Sequence, residues 1–121
     1  MPEFRWDETD LVECLGVIPQ IDEHEVGHHF VVRRDGLRLE LSILQYDAEV
    51  SLSLFREGAP SPLVTLRMID CPGVRLVRNR ERPDYLEFAA ARVHGGRYDR
   101  EPTATMGLRL AVDPDIGITL F

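Results

Sequence analysis

Apolar and polar positions follow two periods in succession along this chain. Near the N-terminus the period is helical. Leu11, Cys14 and Leu15 fall on one stripe. Asp7 stands where an N-cap is needed, with Glu8 and Asp10 in the first turn, where negative charge suits the helix dipole. Gly16 is placed to take the left-handed position that ends a helix, and Pro19 prevents its resumption. The pattern predicts one short helix over residues 7–15. At two turns it is too short to stand alone and must dock on something larger.

From residue 28 the period is two. Residues 30–34 lead into Asp35-Gly36, a favoured two-residue hairpin turn, and the run 37–43 alternates without a fault. A two-residue turn fixes the register. Val32 faces Leu39, Phe30 faces Leu41 and His28 faces Ile43 on the buried side, while His29 opposes Ser42 outside. Further strands are expected around Leu52, Leu66, Leu76, Phe88, Leu110 and Ile118, all core candidates, with a loop from about Val93 to Thr105. Turn residues recur often enough to give about eight short strands. The fold class is all-β: an antiparallel sandwich or partly open barrel, a meander over residues 28–121, with one short N-terminal α-helix. The 121 residues make one domain.

Composition narrows the function classes. The chain carries a net charge of −7 with a pI near 5.0. A nucleic-acid binder usually has the opposite sign, because phosphate neutralisation drives its affinity. The charge is uneven. Residues 1–66 hold 13 acids and 5 arginines, whereas residues 67–109 hold 6 acids and 9 arginines. An acidic end of this kind steers a basic partner. All 14 basic residues are arginine, which points to a GC-rich bacterial source. With no apolar leader at the N-terminus and no apolar run of membrane-spanning length, the expected location is the cytoplasm. Cys14 and Cys71 are then free, inert thiols.

One motif carries sharp chemistry. His24-Glu25-Val26-Gly27-His28 reads H-E-x-x-H and resembles the zincin signature over those five residues. On a helix the two imidazoles would share a face and bind Zn²⁺, and Glu25 would activate a metal-bound water. The surroundings favour a strand instead. Val31 and Val32 run on into the hairpin, and Val31 and Arg34 stand where an extended metzincin pattern needs glycine and histidine. In extended geometry His24 and His28 would lie about 13 Å apart, too far for one ion.

Two other groups are candidate binding residues. Arg75, Arg78, Arg80 and Arg82 form the most basic stretch, and His94, Arg97, Tyr98 and Asp99 lie around a glycine pair in the longest irregular segment. Neither group contains a nucleophile with its base. Without a complete catalytic constellation, the sequence favours a non-catalytic protein that binds another macromolecule, such as an acidic inhibitor or immunity-type protein, with no cofactor. The alternatives are a zinc hydrolase using His24, Glu25 and His28, and a small-molecule binder inside a barrel. Exposed sheet edges also offer pairing to a second copy of the chain.

Overall fold

The computed structural model describes residues 4–81, 83–94 and 104–121. One α-helix precedes nine strands. In chain order these are α1 (Glu8–Leu15), β1 (Gln20–Ile21), β2 (His28–Arg34), β3 (Leu37–Leu44), β4 (Glu49–Arg56), β5 (Val64–Ile69), β6 (Val74–Val77), β7 (Tyr85–His94), β8 (Ala104–Ala111) and β9 (Gly117–Leu120). All strand pairs are antiparallel. The path runs β1-β2-β3-β4-β5-β7-β8-β9, and β6 joins it by pairing with β7. The sheet does not close. It folds over on itself as an open sandwich, with the short helix packed against β6 and β7.

The local chemistry accounts for these elements. Asp7 accepts a hydrogen bond from the Thr9 amide at 2.9 Å, and Gly16, at φ 73°, donates its amide to Val12 O. Both ends of the helix are thus satisfied, while Leu11 and Leu15 enter the core. Asp35 and Gly36 both have positive φ, 52° and 78°, as the tightest hairpin turn requires. The register follows: Val32 lies opposite Leu39, Phe30 opposite Leu41 and His28 opposite Ile43. Continuing into β4, Leu41 pairs with Leu52 and Ile43 with Val50, so the inward face of these strands is apolar apart from the buried His28 and from Arg34 and Arg56 at the hairpin end.

Three sequence expectations need correction. The meander is interrupted, because β5 pairs with β7 and not with β6. β6 is only four residues long and lies beside the first half of β7, whereas β5 lies beside its second half. The expected loop from Val93 also starts too early, since β7 runs on to His94. A bulge between Phe88 and Ala91 explains the miss. Before it Leu86 and Phe88 point inward; after it Ala91 and Val93 do. One extra residue switches the inward parity, so the period-two pattern fails just where the strand continues. Finally, β1, which makes the ninth strand among the described residues, was not expected, because a two-residue strand leaves no period to read.

Of the expected core, Leu39, Leu41, Leu52, Phe88 and Leu110 are buried, whereas Leu66, Leu76 and Ile118 are only half-buried at the margins. Cys71 is buried beside the carbonyls of Gly73 and Ala89, and Cys14 is half-buried on α1. Burial pushes both thiols up to about 11, which leaves them protonated and unreactive at neutral pH.

The register yields a direct test. Leu41→Ala should cost about 2–5 kcal/mol of unfolding free energy, whereas Glu40→Ala, one residue away on the outer face, should cost less than about 1 kcal/mol. Denaturant titration measures both, and equal losses would mean that the two faces are misassigned. Asp7→Ala should cost about 1 kcal/mol through loss of the helix cap. An unchanged midpoint would show that the cap carries no stability.

Candidate interaction surface

The H-E-x-x-H segment does not form the helix that the zincin signature needs. Residues Glu23–Glu25 make a single 3₁₀ turn, in which His24 and Glu25 have positive φ, 65° and 56°. His28 already belongs to β2. The helix face that would bring the two imidazoles together with Glu25 is therefore not formed. Among the described residues, no group of three or more His, Cys, Asp or Glu is placed to hold a metal ion.

What the segment builds instead is a turn fixed at both ends. Asp22 N donates to Gly27 O at 3.0 Å, and Glu25 N donates to Asp22 O at 3.0 Å. The Asp22 carboxylate then meets His29 Nε2 at 2.9 Å, while His29 Nδ1 lies 2.8 Å from Ser42 Oγ. Gly27 makes this closure fit. A Cβ there would lie 2.6 Å from Asp22 Oδ2 and 3.1 Å from His29 Nε2. His28, on the opposite side of the strand, points inward. Its ring meets Trp6 edge-on at 4.7 Å, and its Nε2 lies 3.7 Å from a Glu8 carboxylate oxygen. Consecutive histidines on β2 thus grip the start of α1 on one face and the Asp22 turn on the other.

This arrangement gathers negative charge. Between Arg5 and Arg33 the chain carries seven carboxylates and no arginine. Of these seven, Glu13 pairs with an arginine, Arg78, at 2.6 Å. Glu23 and Glu25 are exposed, with no ion pair among the described residues. The same segment carries apolar side chains open to solvent: Ile18 at 84%, Ile21 at 45% and Val26 at 41% of full exposure, with Val31 on the neighbouring strand at 37%. Isolated exposed aliphatics are ordinary, but several within one short segment that also carries acids match the composition of a protein-binding surface.

Two of the four arginines of the basic stretch have carboxylate partners elsewhere in the fold. Arg75 on β6 donates to Glu87, which also accepts from Arg109, and Arg78 makes a two-pronged contact with Glu13. These arginines hold the outer face of the second half of the sheet and tie it to α1; they do not converge on a site. Arg80 is exposed in the connection that follows β6. His94 ends β7 with its backbone opposite Arg67. Arg82, Arg97, Tyr98 and Asp99 lie outside the described residues.

A barrel ligand would need an enclosed lumen, and the sheet does not close to make one. The open end away from α1 does leave an apolar recess of ≈ 400 Å³ between β4, β5 and β9, lined by Leu54, Val64, Leu66, Ile116, Ile118 and Leu120. No helix among the described residues is long and apolar enough to cross a membrane.

Fold and surface together define an all-β open sandwich with a helix packed against its second half and an acidic, partly apolar edge. The chain is similar in fold to one from a contact-dependent growth inhibition toxin–immunity protein complex from Klebsiella pneumoniae 342. The TM-score is 0.76 at 12% identity, covering 99% of this chain and 96% of that one. At that identity the likeness is one of fold. No protein-family model matches the chain, and no curated protein matches it in sequence.

Glu87 gives this part of the structure a pH signature. Its hydrogen bond from Arg75, helped by Arg109, holds its carboxyl below the ordinary 4.5. Because the folded value lies below the unfolded one, the stabilisation is fully present above about pH 4.5 and is lost as pH falls through the lowered value. The stability gap between wild type and Glu87→Gln should hold level near neutral pH and narrow below about pH 4.5. A gap that stays constant through that window would show that the ion pairs do not form.

Proposed function

We propose that this protein is an immunity-type binding protein that neutralises a basic protein toxin in the bacterial cytoplasm, and that its acidic β1–β2 edge is the surface it uses. The observation that carries this is the segment from residue 18 to residue 31. It holds exposed aliphatic side chains beside carboxylates that no arginine of the described chain neutralises. A fold shared with a chain from a toxin–immunity complex supports the class of function. The charge supports the sign of the partner, since a chain at −7 attracts a basic protein and repels nucleic acid.

Chemically, such a protein acts by occupation. Long-range attraction to the acidic edge raises the association rate, and burial of Ile18, Ile21 and Val26 under the partner slows dissociation. The two contributions separate by experiment. The double charge reversal Glu23→Lys/Glu25→Lys should leave stability within about 0.5 kcal/mol, because both side chains are exposed and unpaired. It should slow association with a basic protein encoded by an adjacent gene by about tenfold or more at low salt, and flatten the salt dependence. Ile21→Ala should mainly speed dissociation. Stopped-flow or surface-capture kinetics measure both. Binding by the charge-reversed chain at the wild-type rate would remove the acidic edge from the interface, and failure of the wild type to bind or protect cells would reject the function.

A further inference from the structure

The edge of β2 is only partly covered. β1 pairs with it at two positions, Gln20 with His29 and Ile21 with His28, whereas β2 runs on to Arg34. The hairpin decides which main-chain groups are left over. In a two-residue hairpin the closing pair, here Arg34 and Leu37, exchanges its amide and carbonyl across the turn. Counting back by two, Val32 and Phe30 also bond to β3, so Val31 and Arg33 turn theirs outward. The bond from Asp22 N to Gly27 O sets the same alternation from the other end, and it places Gln20 in register with the outward groups of His29. Among the described residues, no main-chain hydrogen bond reaches Val31 or Arg33 from that side.

The chain cannot extend β1 over these positions. The pairing ends at Gln20, and only residues 16–19 lie between it and α1, which packs against β6 and β7. β1 therefore stops after two residues, and the free edge continues in line with it. At its β1 end this edge meets the acidic turn carrying Glu23 and Glu25, and Val31 adds an exposed aliphatic side chain. These features together select an occupant. An extended segment of a basic protein can donate to and accept from Val31 and Arg33 while its cations meet the acidic turn. A second copy fits worse, because it would bring together two chains of −7.

We infer that the protein captures its partner by β-strand addition: an extended segment of the basic protein pairs with the outward main chain of Val31 and Arg33. This inference rests on the proposed function and specifies its mode of binding.

Proline substitution isolates the main-chain contribution. Val31→Pro removes an amide that has no internal partner, at an edge position where proline is tolerated, while Val31→Ala keeps that amide and trims the side chain. Both should fold with nearly wild-type denaturation midpoints. Against a basic protein encoded by an adjacent gene, Val31→Pro should weaken binding by about 10- to 100-fold and Val31→Ala by less than about threefold. Hydrogen exchange of the free protein gives a second readout. The Val31 and Arg33 amides should exchange fast and those of Phe30, Val32 and Arg34 slowly, with Val31 and Arg33 becoming protected in the complex. If the wild type binds and Val31→Pro binds equally well, strand addition is overturned while the proposed function stands. If the wild type does not bind, both fall. Protection of Val31 and Arg33 in the free monomer, or a wild-type dimer that Val31→Pro dissociates, would also overturn the inference.

Discussion

The two-residue turn at Asp35-Gly36 is the constraint on which the rest of the molecule depends. With both residues at positive φ, the turn admits one register between β2 and β3. That register sends Phe30 and Val32 inward with Leu39 and Leu41, and it carries the same parity into β4. It also decides which way each histidine faces. His28 turns in towards Trp6 and Glu8, and His29 turns out towards Ser42 and Asp22. A slip of one residue would exchange them, bury Val31 and Arg33, and release both α1 and the acidic turn.

The sequence made this half of the structure legible because its signals are local. The capped helix, the Asp-Gly turn and strict alternation each fix geometry within a few residues. The register of β2 with β3 was readable pair by pair for that reason. The second half was harder. The bulge between Phe88 and Ala91 breaks the alternation, and so the second half of β7 reads as loop. The pairing of β5 with β7 depends on contacts far apart in sequence, which periodicity does not encode.

The candidate site was legible only in outline. The charge asymmetry pointed to an acidic surface, but not to its place in the fold. The H-E-x-x-H segment drew attention to these residues for a chemistry whose helix the backbone does not form. Its histidines serve in packing and in fixing a turn, and its acids extend a charged edge. Two of the four arginines that stood out in sequence, Arg75 and Arg78, are taken up by Glu87 and Glu13, which lie 12 and 65 residues away. Ile18, Ile21 and Val26 gave no signal, because single aliphatic residues between polar neighbours have no period.

The most direct measurement is an amide NMR titration of the labelled protein with a basic protein encoded by an adjacent gene. If the acidic edge is the binding surface, the largest shifts will fall on Ile21, Glu23, Glu25 and Val31, and the Arg75, Tyr85 and Arg109 face will stay unchanged. Shifts centred on that arginine face, with the β1–β2 edge undisturbed, would contradict it.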